Sequence, residues 1–283
     1  MAQPSLTSAV QDVERELGVT LFRRSGRGVT LTNDGAEFLP YAMDVVTQYD
    51  KLLEKYGESG NIKKKFGIST QHYSFAVKSF VETVNHFDTG EYDFAIRETK
   101  TREVIDDVAT GKSEIGVLYL SDFNRKAIEK IFRANSVEFH HLIRCDAYVY
   151  LWKGHPLAGK SSIKFEELAD YPCLSFEQGA TDSFYYAEEI LSTKEYPRTI
   201  KANDRATMLN LMVGLKGYTL CSGIICEELN GSDYIAVPFD AEGADVGDRM
   251  EIGYIIKKNT IPGSIANLYI SELAKYLESC RSK

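Results

Sequence analysis

Polar residues at the ends of short apolar runs are the strongest candidates for binding a small molecule. Ser69, Thr70 and Gln71 follow the run 66–68, which is typical of a buried strand. In open α/β sheets, ligands bind beyond the carboxyl ends of strands, where helix N-termini leave N–H groups unpaired. We therefore expect a small polar or anionic metabolite to bind here, with Ser69 and Thr70 as its principal ligands. Five further candidates stand at or near the ends of other predicted strands: Tyr119, Ser121, Gln178, Asn203 and Ser222.

The same residue types also fit a purely structural role. Ser69, Thr70 and Asp204 each precede a predicted helix, and N-capping there would be worth ~1 kcal/mol without any ligand. Both interpretations stay open for these three residues. The acidic side chains of Glu177 and Asp204 oppose a purely anionic ligand. An amino acid or a similar zwitterion would satisfy both signs of charge.

No pattern in the sequence predicts catalysis or a metal site. There is no GxSxG or HExxH motif, and the segment 26–28 lacks the third glycine of a dinucleotide-binding loop. His140 and His141, if they lie on a strand, point to opposite faces and cannot share a metal. We expect no enzyme activity, no metal and no cofactor. His72 alone is placed, just after Ser69, where it could titrate near neutral pH beside an anionic ligand.

The composition is that of an ordinary globular protein with about two domains. The 283 residues are 43% hydrophobic and 26% charged, and no window approaches the ~20 consecutive apolar residues of a membrane span. The five cysteines form no CxxC pair, and no signal segment follows Met1, so we expect reduced thiols, a cytoplasmic location and no membrane partner. The net charge of −8 argues against nucleic-acid binding by the whole chain. It does not exclude a small basic module on an acidic body.

The first 31 residues predict a helix followed by a basic hairpin. Pro4 suits the start of a helix whose apolar positions recur at helical spacing until Gly18. Two short strand patterns, 21–24 and 29–31, flank a Gly-rich tip that carries Arg27. Small polar side chains on the helix can lie close to base edges and phosphates, although they are equally ordinary solvent-facing residues.

The chain is organised around one long helix that follows this hairpin, from Thr32 to Tyr56. Its apolar positions advance in steps of 4, 3, 4, 3 and 4 residues. This alternation averages ~3.5 residues, the spacing that keeps a seam against a partner helix. A core helix of one globular domain would show a similar pattern, but the position between a basic module and a long α/β part favours a dimerisation helix. The seam consists of Phe38, Ala42, Val45, Tyr49, Leu52 and Tyr56.

From residue 64 onward, predicted strands and helices alternate. This rhythm favours parallel sheets with both faces covered. The last strand and helix, from residue 250, are expected to return to the first block. The pattern gives two lobes, one made of 64–145 with 248–283 and the other of 146–247. The first helix of the series has apolar positions at Tyr73, Val77, Phe80, Val84 and Phe87.

Several stretches near the N-terminus, taken in order, form a known family pattern. They are 3–7, 13–14, 16–24, 26–27 and 31–32, with Gly35 following. These residues resemble the winged helix-turn-helix of LysR-type transcriptional regulators. The resemblance implies a recognition helix at 3–18, a wing at 24–28 and a dimer linker in the long helix. It also implies DNA contacts from Gln3, Pro4, Ser5, Thr7, Ser8, Gln11, Arg24 and Arg27.

The sequence departs from the family pattern at its start. Family members place further helices before this Gln-Pro, and here only Met1 and Ala2 precede it. Ser8 and Gln11 also stand where family members often place Arg, which implies lower phosphate affinity. We therefore expect this chain to bind DNA weakly or not at all. A ligand-binding protein of the same fold that has lost DNA binding is the alternative, and an enzyme on that fold would need a catalytic cluster that the sequence does not show.

The resemblance continues into the second half, through residues 151, 155–158, 162–163, 167–168 and 171–172. These look like the entry into the second lobe of LysR-type effector domains, which resemble periplasmic solute-binding proteins. The implied fold is α/β: a partial winged helix-turn-helix (1–31), a linker and dimerisation helix (32–57) and a two-lobed effector-binding domain (64–283). The implied partners are DNA, a small-molecule effector in the cleft and a second chain, as a homodimer through the linker helix or a homotetramer.

Overall fold

The computed structural model describes residues 3–25, 28–56, 63–87, 91–179, 183–240 and 249–281. The chain forms two compact units, residues 1–60 and residues 61–283. Within the described residues, no helix is both long and apolar enough to cross a membrane.

The first unit contains the predicted helix, hairpin and long helix. Helix α1 (Gln3–Leu17) ends at Gly18, whose φ of 68° suits a left-handed turn. Strands β1 (Phe22–Ser25) and β2 (Gly28–Leu31) pair antiparallel. Helix α2 (Asn33–Tyr56) starts after Thr32, whose Oγ1 accepts a hydrogen bond from the N–H of Gly35 at 2.9 Å. The predicted elements of this unit are therefore confirmed.

The junction between α1 and the hairpin is fixed by the backbone around Leu21, which is buried. The Glu14 carboxylate accepts hydrogen bonds from the N–H groups of Leu21 (2.7 Å) and Phe22 (3.1 Å). Gly35 lies so close that a Cβ built on it would be 2.1 Å from the Leu21 carbonyl oxygen. Only glycine fits this contact, which positions the start of α2 against the hairpin.

The second unit contains two sheets, which we call, with their helices, the first and second lobes. The first sheet has the order β4-β3-β5-β13-β6, in which β3 is parallel to β4 and β5, and β13 is antiparallel to β5 and β6. Its elements are β3 (Lys64–Thr70), α3 (Ser74–Asn85), β4 (Tyr92–Glu98), α4 (Thr101–Ala109), β5 (Ile115–Leu120), α5 (Arg125–Ala134), β6 (Val137–Cys145), β13 (Met250–Lys257) and α8 (Ser264–Arg281).

The second sheet has the order β10-β9-β11-β7-β12-β8, and β7 runs antiparallel to β11 and β12. The predicted parallel pairing is confirmed among β3, β4 and β5 and among β9, β10 and β11, but both sheets are mixed, because β13 and β7 pair antiparallel with their neighbours. The antiparallel strands β7 and β13 are those by which the chain enters the other sheet, after β6 and after β12, whereas β3, β4 and β5 are joined by helical crossovers. The elements are β7 (Tyr148–Trp152), β8 (Ile163–Lys164), β9 (Cys173–Phe176), β10 (Thr199–Ala202), α6 (Arg205–Leu215), β11 (Tyr218–Cys221), α7 (Glu227–Asn230) and β12 (Tyr234–Asp240).

The predicted apolar face of α3 packs against the core through Tyr73, Phe80 and Phe87, but other positions of the helix are more deeply buried. The fully buried positions include Ala76, Ser79 and Thr83, and the apolar positions expected there are only half-buried. The Ser79 hydroxyl donates to the Phe75 carbonyl and the Thr83 hydroxyl donates to the Ser79 carbonyl, both at 2.8 Å. These bonds satisfy the two hydroxyls inside the helix, so small residues can face α8 closely.

Candidate effector-binding site

Ser69 and Thr70 lie fully buried at the end of β3. The Ser69 hydroxyl donates to the Asp107 carboxylate at 2.6 Å and lies 2.8 Å from the Ser113 hydroxyl. The Thr70 hydroxyl has no hydrogen-bond partner among the described residues. Helix α3 begins only at Ser74, so the N-capping interpretation is wrong for Ser69 and Thr70. Their role in ligand binding stays a prediction.

Gln71 is fully buried and hydrogen-bonded at both ends of its amide. Its Nε2 donates to the Thr101 hydroxyl at 2.5 Å, and its Oε1 accepts from the Tyr73 hydroxyl at 2.9 Å. The same oxygen accepts from the N–H of Tyr119 at 3.1 Å. Gln71 therefore ties together the ends of β3 and β5 and the start of α4.

Of the remaining predicted site residues, Gln178 is linked to Gln71 through Thr101, whereas Ser121 and Asn203 lie at other strand ends. The N–H of Ser121 donates to the Asn124 side chain at 2.7 Å in the turn before α5. Asn203 is exposed, and Asp204 next to it caps α6 by accepting from the N–H of Thr207 at 2.8 Å. Capping is thus confirmed for Asp204. Gln178 is buried between the lobes, where its Oε1 accepts from the N–H of Thr101 at 3.0 Å and its Nε2 donates to Glu188 at 2.7 Å.

A cavity of about 80 Å³ lies between the two lobes. Of the eight predicted effector-binding residues, only Ser222 lines it. The walls are mostly apolar, with Tyr150, Phe176, Met208 and Ile225 among the second-lobe residues and Met250 from the first sheet. The polar lining residues include His72, Glu188, Arg205, Thr219 and Asn230.

Arg205 is the cationic residue of this lining that is always charged. Its Nε forms an ion pair with Glu98 at 2.8 Å, and its Nη1 donates to the Asn230 side chain at 3.0 Å. Burial raises the pKa of the Glu98 carboxyl, although the neighbouring Arg205 acts in the opposite direction. Asn230 donates in turn to the Tyr150 hydroxyl at 3.2 Å. These contacts hold the guanidinium at the cavity wall.

The Thr219 hydroxyl is the unsatisfied polar group of the cavity lining. Thr219 is 7% exposed on β11, and its Oγ1 has no hydrogen-bond partner among the described residues. A buried hydroxyl without a partner costs about 1–3 kcal/mol. A ligand atom in the cavity that hydrogen-bonds to Oγ1 would remove this cost.

Two buried glutamates differ in charge. Burial, together with the neighbouring Glu188 carboxylate, raises the pKa of Glu189 to about 8. Glu189 is therefore predominantly protonated at neutral pH, and its Oε1 accepts a hydrogen bond from the N–H of Phe176 at 2.8 Å. The Glu188 carboxylate instead contacts His72, with 2.9 Å between the ring Nδ1 and one carboxylate oxygen.

Sequence patterns pointed to strand ends and missed Arg205, Thr219, Asn230 and Glu188. Arg205 directly follows the capping Asp204 and was read as part of a helix start. Thr219 lies within a strand, and Glu188 lies in a stretch without regular structure. Only the strong helix signal at Asp204 could have directed attention to Arg205.

The predicted DNA-contacting residues lie in the first unit. Gln3, Pro4 and Ser5 form the first turn of α1, while Ser8 and Gln11 are exposed on it and Thr7 is half-buried. The apolar side chain of Leu6 is also exposed, by 56%. Arg24 belongs to β1, and Arg27 lies outside the described residues.

Comparison with known protein families gives two matches along the chain. Residues 1–36 match the bacterial regulatory helix-turn-helix of the LysR family. Residues 89–276, about two thirds of the chain, match the LysR substrate-binding domain. The chain belongs to the LysR family of transcriptional regulators. The resemblance read from the sequence is thereby confirmed, and so is the predicted fold class of a helix-and-wing module, a long helix and a two-lobed α/β domain.

Similar LysR-family proteins match over different lengths. The uncharacterized regulator YbhD of Escherichia coli K12 is 22% identical over 96% of this chain and 83% of its own length. AlsR of Bacillus subtilis 168 is 27% identical over 65% of this chain, and that match spans only 59% of AlsR. The structure of a full-length OxyR variant from Pseudomonas aeruginosa is 18% identical, with a TM-score of 0.64 over 98% of this chain and 86% of that one. At this identity, OxyR shows a shared fold alone.

These LysR-family relatives are regulators and not enzymes. Within the described residues, no group of three or more His, Cys, Asp or Glu side chains is arranged to hold a metal. Because residues 1–36 match the family's helix-turn-helix, the alternative of lost DNA binding gains no support.

Proposed function

We propose that this LysR-type regulator binds a small polar or anionic metabolite in the cavity between its lobes and that this binding changes its DNA affinity. The observation that carries the proposal is that Arg205 and the unpartnered hydroxyl of Thr219 line the same cavity. A guanidinium and a hydroxyl together suit a carboxylate or another compact oxygen-bearing group.

The energy needed for this binding is moderate. A charge-assisted hydrogen bond contributes about 1.5–3 kcal/mol, and a dissociation constant of about 1 μM needs about −8 kcal/mol in total. The rest must come from apolar contact with side chains such as Tyr150, Phe176 and Met208. A ligand with one polar group and an apolar body fits such a cavity better than one that is polar throughout.

The charged side chains of the cavity affect how an anionic ligand can be accommodated. Arg205 is paired with Glu98, and His72 is paired with Glu188, so the two pairs add little net charge. An anion entering this lining favours proton uptake, and the Glu98 carboxyl, whose pKa is raised by burial, is one group that can take up the proton. A zwitterion would need no such proton.

The first unit supplies the DNA-binding and dimerisation functions of the proposal. Ser8 and Gln11 expose polar groups on α1, as a helix that contacts DNA requires. The seam of α2 leaves large apolar side chains in solvent, with Val45 exposed by 68% and Leu52 by 55%. A second chain packed along α2 would cover them, so we propose a homo-oligomer in the cytoplasm that is held together through this helix.

Calorimetry with small metabolites tests the cavity. A library is first screened by thermal shift on the full chain, and each ligand found is then titrated into the wild type, Arg205→Met and Thr219→Val. We expect Thr219→Val to weaken binding about tenfold or more, because an unmatched ligand oxygen is left against a methyl group. Arg205→Met should weaken binding of an anionic ligand further.

Thr199→Val is the matched control, since Thr199 is exposed at the start of β10 and away from the cavity lining. It should bind as the wild type does. In the same assay, Ser69→Ala and Thr70→Ala test the assignment made from sequence. If the ligand loses affinity in those two variants and not in Thr219→Val, the site is not the cavity.

A further inference from the structure

The segment Ser183–Ser192, between β9 and β10, contacts both lobes. The hydroxyl of Tyr119 on β5 donates to the carbonyls of Ala187 (3.1 Å) and Glu189 (3.2 Å). The Thr101 hydroxyl at the start of α4 donates to the Tyr186 carbonyl at 2.7 Å. The segment therefore belongs to the second lobe by sequence but lies against the strand ends of the first.

Glu188 is the charged side chain of this segment that joins the lobes. Its side chain is only 3% exposed, and its carboxylate accepts from the backbone N–H of His72 at 2.8 Å. The ring Nδ1 of His72 lies 2.9 Å from the same oxygen. The other oxygen accepts from Gln178 Nε2 at 2.7 Å. His72 of the first lobe and Gln178 of the second lobe are thus both bound to the Glu188 carboxylate.

His72 projects from the first lobe into the second. Its ring stacks on Phe176 at the end of β9, with 3.9 Å between centroids and 7° between planes. The backbone of Asn203 before α6 also acts to raise the pKa of the ring. His72 and Glu188 both line the cavity. The contact between them therefore closes the lobes at the wall of the proposed ligand site.

We propose that Glu188 is an intramolecular latch whose carboxylate holds the lobes closed through His72 and must release His72 before an effector can enter the cavity. This inference rests on the proposed function for the role of the cavity. The latch itself is a contact within the chain and is testable with no effector. A ligand carboxylate would compete with Glu188 for the same N–H donors, which makes the latch a barrier that anionic ligands are suited to displace.

The latch depends on the protonation of His72. Burial opposes a charge on the ring, but Glu188 and the more distant Glu98 outweigh it, and the pKa of His72 is raised above 6.5. Asp204 at the start of α6 also interacts with the ring, and Arg205, paired with Glu98, lines the same cavity. A raised folded-state pKa gives stabilisation that is complete below 6.5 and lost as pH rises through the folded pKa. We expect the latch to loosen as the pH is raised.

Hydrogen exchange of the full chain measures this directly. The peptide that contains the amide of His72 is followed in the wild type, in Glu188→Gln and in the neighbouring control Glu189→Gln. Glutamine replaces a carboxylate at 188 but a largely protonated carboxyl at 189, so only the first substitution removes charge. We expect Glu188→Gln to speed exchange of this peptide about tenfold or more and Glu189→Gln to leave it unchanged.

The same peptide is then compared at about pH 6 and about pH 8, after correction for intrinsic exchange rates. Wild-type opening should increase with pH, and opening of Glu188→Gln should not. If Glu188→Gln also loses protection in the core strand β13, His72→Phe replaces it, because a phenyl ring keeps the stacking on Phe176 and removes the ring nitrogens. Equal, pH-independent exchange in wild type and the variants would overturn the latch and leave the cavity proposal untouched, whereas a cavity that binds no metabolite would leave the latch result standing.

Discussion

At the scale of single residues, Gly35 approaches the backbone of Leu21 closely in the first unit. A Cβ at position 35 would lie 2.1 Å from the Leu21 carbonyl oxygen and 3.1 Å from the Leu31 side chain. The obstructing group is backbone, and Glu14 holds that backbone by two hydrogen bonds, so it has little freedom to move. This glycine therefore sets how α2 leaves the hairpin.

Gly35→Ala should destabilise the first unit by about 1–3 kcal/mol, the usual cost of inserting a methyl group into a packed site. The measurement is hydrogen exchange at the amide of Leu21, which should become faster, together with thermal unfolding of the full chain. Gly214→Ala in α6 is the control, since a Cβ there meets nothing within 4 Å. It should be neutral or stabilising by about 0.4–1 kcal/mol. Unchanged exchange in Gly35→Ala would show that the backbone at Leu21 can move aside.

Residue types at strand ends predicted where polar side chains lie, but not where they point. Ser69 was correctly read as the end of a strand, yet its hydroxyl is bonded to Asp107, which is far away in sequence. Thr219 looks like an ordinary strand residue, and its importance comes from a missing partner that only the packing reveals. Glu188 lies in a stretch without regular structure, where spacing carries no information.

At the scale of elements, the surface of α2 is poorly suited to an isolated chain, because it exposes large apolar side chains to solvent. Several of its exposed side chains are large and apolar, including Val45, Tyr49 and Leu52. A contiguous apolar stripe on an isolated helix is typical of a helix–helix interface. The seam predicted from the sequence and the exposure seen in the structure support the same interface.

We expect the double variant Val45→Asp and Leu52→Asp to dissociate the oligomer, because two carboxylates would be buried in the seam. Val45→Ala and Leu52→Ala should each cost about 2 kcal/mol or more if a partner buries them. Sedimentation gives the mass of each variant. Thr47→Asp, about 200° around the helix from Val45, should sediment as the wild type does. A double variant that keeps the wild-type mass would place the interface elsewhere.

Element positions were the part of the second unit that the sequence predicted best. The sequence predicts strands at 173–176 and 199–202, and these are the bounds of β9 and β10, because both are short apolar or alternating runs with clear breaks. The prediction of the most buried positions of α3 was wrong, since the hydroxyls of Ser79 and Thr83 are satisfied by hydrogen bonds to carbonyls of their own helix. A pattern based on the spacing of apolar residues treats serine and threonine as polar and therefore as exposed. Strand direction was also missed for β7 and β13, the strands by which the chain enters the other sheet.

At the scale of the whole molecule, the proposal places two functions in one chain: DNA binding by the helix-turn-helix module and ligand binding in the cavity. A ligand shifts an equilibrium only by the difference in its affinity for the two states. The latch and the cavity both lie where the lobes meet, so lobe closure is the state that a ligand can favour or disfavour. We expect that closure to be coupled to DNA binding by the helix-turn-helix module.

The central claim is tested by the DNA affinity of the full chain with and without effector. A duplex is selected by the protein from a random pool, and binding is measured by fluorescence anisotropy with the ligand found by calorimetry. We predict that the ligand changes the apparent Kd of the wild type about fivefold or more. Thr219→Val should bind the duplex as the wild type does and should not respond at the same ligand concentration. Failure to select any duplex above non-specific binding, or an equal response in Thr219→Val, would contradict the claim.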